Sequence, residues 1–284
     1  MSAEFPRTTV AGVSLPRMLV GTNWIYGYSH RTPSADEMIR QVHSTASSVA
    51  DLLEVFLNEG VDAMMGPMST HPEHVCDGVR EAEQRTGRKM ILIDTPIISV
   101  DDNAQARKEA EAIIRETARR GATFCLIHHS SAEQLVNKNQ HAMPRLTDYL
   151  SMIRDAGMIP GLSAHMPELI VYSDENEYDV QTYVQIYNCA GYLMQVEIEY
   201  IHRVIWNAKK PVMTIKSMAA GRLTPFVGLN FSWATLRDCD MVTVGCLRPG
   251  EAAEDIEISR AALERRAPVL GGRASPNKTA IMQD

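Results

Sequence analysis

Short apolar runs alternate with longer amphipathic segments along most of the chain, and this alternation is the main structural signal in the sequence. The short runs are typical of buried strands, and the segments between them repeat their apolar positions with a helical period. We therefore expect eight buried strands, at 17–22, 61–66, 89–93, 123–127, 159–163, 193–200, 211–218 and 241–244. A glycine between two β-prone pieces predicts a hairpin at 8–15, ahead of the first strand.

Eight strand-then-helix units favour a closed (β/α)8 TIM barrel, an α/β fold, over an open doubly wound sheet. The open sheet would normally carry a G-x-G-x-x-G turn after its first strand, and the chain has none. We expect residues 1–266 to form a single barrel domain, with the short N-terminal hairpin closing its bottom. Residues 267–284 are polar and contain adjacent glycines, which predicts a loosely packed tail.

The charge and the cysteines narrow the class of ligand. A net charge of −7 argues against nucleic acid or an anionic membrane as the main partner, which leaves a small molecule. The start of the chain has no signal pattern, and no apolar run reaches the ~18 residues of a membrane span, so we expect a cytoplasmic protein. Five cysteines without a C-x-x-C pair indicate neither a zinc knuckle nor a disulfide framework. A homo-oligomer remains open.

Polar residues at the predicted strand ends indicate where a site would form, because a barrel gathers the carboxyl ends of its strands at one mouth. The candidates for chemistry are Asp94, His128, His165, Glu197, Glu199 and Lys216. The candidates for substrate contact are Asn23, Trp24, Tyr26, Gln195 and Arg222.

Several segments resemble the aldo-keto reductases: VSLPRMLVGTNW, FCLIHHS, GLSAH, QVEIEY, KKPVMTIKSMAAGRL and VTVGCLRPGEAAEDIEIS. The resemblance implies a (β/α)8 barrel and NAD(P)-dependent reduction by an Asp, a Tyr, a Lys and a His. Only His128 matches that set, since Met64 or Met65 stands where the Asp is expected, no Tyr is near, and the third strand ends in Asp94 rather than Lys. Most of the catalytic tetrad is therefore missing.

The cofactor contacts that the resemblance implies are also incomplete. Ser163 and Gln195 match carboxamide-binding positions, and Arg248 could meet a phosphate. However, Ala164 replaces an expected Asn, and the expected stacking aromatic falls on Ile215. We therefore expect NAD(P) to bind weakly or not at all.

The residues themselves suggest a different chemistry at the same mouth. On a strand over 193–200, Val196 and Ile198 would face the helices, so that Glu197 and Glu199 would face the interior and need a cation. We expect a divalent metal ion on His128, His165 and Glu199, with Glu197 as the alternative carboxylate.

Such an ion would polarise a carbonyl or enediolate oxygen while a nearby group moves the proton. The groups proposed for that step are Lys216, Glu197, Asp94 and His128. This predicts a metal-assisted isomerase, epimerase or lyase that acts on a small polyhydroxylated carbonyl compound.

Other interpretations stay open at this stage. One is an NAD(P)-dependent oxidoreductase with an altered proton donor, and another is a non-catalytic barrel that binds a small molecule. Lys216 could pair with Glu197 or Glu199 as a structural ion bridge, or it could form a Schiff base with a carbonyl substrate.

Overall fold

The computed structural model describes residues 4–68 and 72–271. Within them the strands are β1 Arg7–Val10, β2 Val13–Pro16, β3 Met18–Gly21, β4 Ala63–Gly66, β5 Ile91–Asp94, β6 Phe124–Ile127, β7 Ile159–Ala164, β8 Tyr183–Ile186, β9 Val212–Ile215 and β10 Met241–Val244. The helices are α1 Asn23–Tyr26, α2 Pro33–Val42, α3 Ala46–Asn58, α4 Glu73–Thr86, α5 Ala104–Arg119, α6 His129–Ala132, α7 Leu146–Asp155, α8 Glu168–Glu175, α9 Ile198–Asn207, α10 Pro225–Thr235 and α11 Pro249–Leu263.

The predicted (β/α)8 barrel is confirmed. Eight parallel strands close in the order β10-β3-β4-β5-β6-β7-β8-β9, so that the last strand of the barrel lies beside its first. The closing register pairs Val242 with Met18 and Val244 with Val20. Because all the strands are parallel, their carboxyl ends share one rim.

The predicted hairpin is also confirmed, as the antiparallel pair β1–β2. Val10 and Leu15 are buried and pack in one cluster with interior residues of the barrel such as Leu19 and Met213. This cluster is separate from the larger core that lies between the sheet and the helices. The hairpin therefore closes the amino-terminal end of the barrel and leaves the other end as the mouth.

The predicted sixth strand at 193–200 is wrong. The sixth strand of the barrel is β8, four buried residues that pair with β7 and β9. Residues Ile198–Asn207 form α9, whose buried positions Ile201, Val204 and Ile205 follow a helical period. The polar and apolar alternation in QVEIEY therefore belongs to a loop and to the first turn of a helix.

The remaining sequence expectations concern membrane spans, the cysteines and the C-terminal tail. No helix among residues 4–68 and 72–271 is apolar over a length that would cross a bilayer. All five cysteines are free thiols, and Cys125 and Cys246 are buried. Residues 272–284 of the predicted tail lie outside the described residues.

Candidate active site

Three imidazoles and one amine come together at the mouth, where three strands end. His128 follows β6, His129 begins α6, His165 follows β7, and Lys216 follows β9. Side chains alternate between the two faces of a strand, and Leu126 packs in the interior cluster. His128, two residues further on, is therefore directed towards the axis of the barrel.

The three imidazoles lie against one another, with His129 and His165 stacked and His128 tilted against His129. The ring centroids of His129 and His165 are 3.7 Å apart with planes inclined by 18°, and those of His128 and His129 are 4.3 Å apart. The charge of Lys216 contributes to lowering the pKa of all three rings. The stack and the amine thus form one electrostatic unit.

The three rings are neutral at physiological pH. Burial, followed by neighbouring positive charge, lowers the pKa of His128 to about 4 and that of His165 to about 3. Burial lowers the pKa of His129 as well. Nδ1 of His128 accepts the backbone N–H of Ser130 at 3.3 Å and lies 2.8 Å from the Ser130 hydroxyl, so both contacts are satisfied when the ring proton is on Nε2. His128 can therefore donate a hydrogen bond from Nε2 to a ligand in the mouth.

Lys216 is held as an isolated amine. It is half-buried, and within residues 4–68 and 72–271 it has neither an ion pair nor a hydrogen bond from its side chain. Its φ of 62° lies in the left-handed region, which costs a residue with a side chain about 1 kcal/mol and is often found at functional sites. Burial lowers its pKa to about 8. The amine thus titrates close to physiological pH.

Glu133 ties two of the imidazole-bearing segments together. Its Oε1 accepts the backbone N–H groups of His165 at 2.7 Å and Met166 at 3.0 Å. Its Oε2 lies 4.0 Å from Nδ1 of His129, one helical turn earlier. Among the described residues, His129, Glu133 and His165 are the one group of three whose ligand atoms lie within 4.8 Å of one another.

A basic rim borders the same mouth on the side of β3 and β9. Asn23 Nδ2 lies 3.0 Å from Nε2 of His30, and the hydroxyl of Tyr192 donates to the carbonyl oxygen of His30 at 3.3 Å. The Arg222 guanidinium lies 4.1 Å from the centre of the Tyr192 ring. Lys216 and Arg222 both contribute to the lowered pKa of His30, after burial. Two predicted substrate residues, Asn23 and Arg222, therefore border the mouth.

The other two aromatic candidates are part of the packing. Tyr26 is 9% exposed, and burial raises the pKa of its hydroxyl. Trp24 lies over the end of β10, where a Cβ on Gly245 would come within 2.8 Å of the Trp24 ring. These side chains support the rim, and Tyr26 is not positioned to stack on a substrate.

The side chain of Asp94, a predicted catalytic residue, makes its hydrogen bonds away from the mouth. Ile93 packs inside the barrel, so the adjacent Asp94 side chain is directed to the helix layer. It is fully buried, and it accepts the backbone N–H of Met68 at 2.7 Å and the hydroxyl of Thr117 at 2.9 Å. These bonds fix the segment after β4 against α5, which is a structural role.

The loss of the predicted sixth strand also removes three site candidates from the mouth strands. Gln195 lies in the loop before α9, Glu197 is the N-cap residue of α9, and Glu199 lies in its first turn. All three are exposed. The expected metal set of His128, His165 and Glu199 is therefore not brought together, and the expected contact of Lys216 with Glu197 or Glu199 is not formed.

The predicted cofactor residues are spread over the barrel end. Ser163 has the parity that faces the interior and is 5% exposed, whereas Arg248 is exposed at the start of α11. The glutamine of the true sixth strand is Gln185, which is fully buried. Its Nε2 donates to the carbonyl oxygen of His165 at 3.2 Å, so it holds the loop after β7.

Sequence reasoning missed His129, Glu133 and Tyr192. A spacing signal existed for the first two, since residues four apart on a helix lie on one face and HHSSAE places His129 four residues before Glu133. Tyr192 had no such signal, because its neighbours at the rim come from distant parts of the chain.

The chain shares its (β/α)8 barrel fold with solved structures of aldo-keto reductases. The similar solved structures include a Pseudomonas aeruginosa protein whose name assigns it to the aldo-keto reductases, with TM-score 0.65, 13% identity, and coverage of 93% of this chain and 98% of that one. An aldo-keto reductase from Bacillus halodurans in its holo form has TM-score 0.63, 9% identity, and coverage of 98% and 100%. A Klebsiella pneumoniae aldo-keto reductase in complex with NADPH has TM-score 0.56, 12% identity, and coverage of 95% and 92%.

At these identities the likeness shows the fold alone. No protein-family profile and no curated protein sequence matches the chain. The chemistry must therefore be argued from the mouth itself.

Proposed function

We propose that the protein is an NAD(P)-dependent oxidoreductase that reduces a small carbonyl compound at the mouth of the barrel, with Lys216 as the altered proton donor. The observation that carries this proposal is the isolated amine of Lys216 beside His128, on a barrel shared with an NADPH-bound reductase. It favours the reductase alternative of the sequence analysis over the metal-assisted reaction.

The protonation states suit the reduction of a carbonyl group. The reaction needs a hydride on carbon and a proton on oxygen, and a general acid works best when its pKa is near the working pH. The Lys216 ammonium, with a pKa of about 8, meets that condition. His128 is neutral and carries its proton on Nε2, so it can hold the carbonyl oxygen by a hydrogen bond. Together the two residues replace the missing phenol.

The donors around the mouth fit an anionic dinucleotide. The hydroxyl of Ser217 is buried and has no partner within the described part of the chain. Residues Ala219, Ala220 and Gly221, which follow it, have positive φ angles of 49°, 54° and 79°. Arg31 lies beside that turn, 3.6 Å from where a Cβ on Gly221 would stand. An orphaned hydroxyl and an arginine that has no ion pair with any described residue are suitable phosphate donors.

Ser163 would supply a contact for the carboxamide at the inner end of the same ligand. A bound reduced nicotinamide supplies the hydride. The remaining work falls to this chain, in which Lys216 delivers the proton and His128 orients the oxygen.

The test is NAD(P)H oxidation with a panel of small aldehydes, ketones and hydroxy-ketones. We expect Lys216→Met to lower kcat by ~100-fold or more, which is the usual contribution of a general acid. Lys108→Met, at an exposed position on α5, is the matched control and should keep full activity. Activity should fall as the pH rises through about 8, because the ammonium form is then lost. Absence of saturable NADPH binding in a fluorescence titration would refute the proposal.

A metal-assisted isomerase, epimerase or lyase is the second candidate, and the group of His129, Glu133 and His165 favours it. Two features place it second. The rings of His129 and His165 are stacked at 18°, so their in-plane lone pairs run side by side and do not converge on one ion. The Lys216 ammonium would also repel a dication. Zinc or manganese retained after dialysis and lost in Glu133→Gln would reverse this order.

A further inference from the structure

The amine of Lys216 is positioned to act as a nucleophile as well as an acid. It directly follows β9, at the carboxyl-end rim of the barrel. Among residues 4–68 and 72–271 it pairs with no carboxylate, which would otherwise hold it as an ammonium ion. Its neighbours are the neutral rings of His128, His129 and His165, which add no negative charge.

We propose that the Lys216 amine forms an imine with small aldehydes and ketones at the mouth, and that the imine gives the protein a second activity that needs no nicotinamide. The proposal rests on the proposed function only in taking the same class of carbonyl compound to the same mouth. It uses the deprotonated amine, whereas the reduction uses the ammonium ion.

The covalent step balances without an oxidant or a reductant. The nitrogen lone pair forms a bond to the carbonyl carbon, and the carbonyl oxygen takes up a proton to give a carbinolamine. The carbon–oxygen bond then breaks, and the oxygen leaves as water with the two hydrogens of the amine. His128 can donate from Nε2 to that oxygen while the negative charge develops on it.

The imine opens the chemistry of the neighbouring carbon. When its nitrogen is protonated, it withdraws electrons from the adjacent C–H bond, so the hydrogen on that carbon exchanges with solvent. The same electron sink supports cleavage of a carbon–carbon bond one position further away. An isomerase or lyase reaction on a hydroxy-carbonyl compound thus becomes available without a metal ion.

The titration of Lys216 supports this placement. With a pKa of about 8, about one tenth of the side chain is free amine at pH 7. An ordinary lysine, with a pKa of 10.5, has less than about one thousandth as amine at that pH. Lys216 therefore presents a reactive amine more than ~100 times as often as a solvated lysine does.

The experiment is borohydride trapping on the full-length protein. The protein is mixed at pH 7 with pyruvate, glycolaldehyde or dihydroxyacetone, reduced with borohydride, digested, and mapped by mass spectrometry. We expect the initial labelling of Lys216 to exceed that of exposed Lys108 by ~100-fold and to increase from pH 7 to pH 9. Deuterium should enter the carbon next to the carbonyl group of the same probes.

The mapping uses the wild-type protein, so the result does not depend on the folding of a variant. Equal labelling of Lys216 and Lys108 with all three probes overturns the proposal. Labelling of the protein that persists unchanged in Lys216→Arg overturns it too. Failure here leaves the NADPH assay untouched, and failure of that assay leaves the trapping result intact, so the two proposals are distinguished.

Discussion

Asp255 provides a test of the energetics of the barrel away from its mouth. Its carboxyl lies on α11, is 3% exposed, and accepts a hydrogen bond from the Cys246 thiol at 3.3 Å. Burial raises its pKa from 3.8 to about 7. A raised pKa of an acid means that the folded state prefers the protonated form, so its stabilising contribution is complete below pH 3.8 and is lost as the pH rises towards about 7.

The magnitude follows from the size of that shift. Each pKa unit corresponds to about 1.4 kcal/mol, so this carboxyl should lower the free energy of unfolding by about 3 kcal/mol between pH 5 and pH 8. Asp255→Asn removes the titration and keeps an oxygen that can accept from Cys246. The new amide group costs about 1–3 kcal/mol if it finds no partner, and that cost is the same at both pH values.

The assay is urea unfolding of wild type and variant at pH 5 and pH 8, followed by tryptophan fluorescence. The measured quantity is the free energy of unfolding of Asp255→Asn minus that of wild type. We expect this difference to be about 3 kcal/mol larger at pH 8 than at pH 5. Glu109→Gln, at an exposed position on α5, is the control and should show no such difference. If the stability difference between Asp255→Asn and wild type is the same at both pH values, the argument from burial is wrong.

Two further predictions concern the barrel wall. Gly66→Ala should lower the free energy of unfolding by about 3 kcal/mol, because the new Cβ would stand 1.8 Å from Oγ1 of Thr22. Gly250→Ala is the control: its new Cβ would have nothing within 4 Å, so the same urea unfolding should show almost no change. Asp240→Ala should cost about 3–5 kcal/mol, since Asp240 is fully buried and its loss leaves the guanidinium of Arg237, now 2.7 Å away, without its carboxylate. A cost below about 1 kcal/mol for Asp240→Ala would show that Arg237 finds other partners.

The fold was predictable because seven of the eight barrel strands overlap the short apolar runs that predict them. The eighth shows where local pattern fails. YVQI, in β8, is buried on both faces and gives no alternation, whereas QVEIEY alternates without being a strand. A short run that is buried in a parallel sheet lacks a periodic signature, so QVEIEY carries the stronger strand signal of the two segments.

The site was predictable only where it depended on strand ends that were correctly located. His128, His165 and Lys216 follow confirmed strands and do meet at the mouth. Glu197 and Glu199 were assigned to the mouth through the misplaced strand, and the direction of Asp94 depended on parity at the end of β5. The partner of the imidazoles is instead Glu133, whose spacing of four residues from His129 was a signal in the sequence. Its bond to the backbone of His165 joins two separate segments and had no such signal.

The closing seam of the barrel has a consequence for synthesis on the ribosome. β10 lies between β9 and β3, so the strand made first waits for one made more than two hundred residues later. Until residues 241–244 have left the exit tunnel, β3 and β9 both present unpaired edges. A chain released before that point carries two open edges and a core without its last helix, which is a form that aggregates.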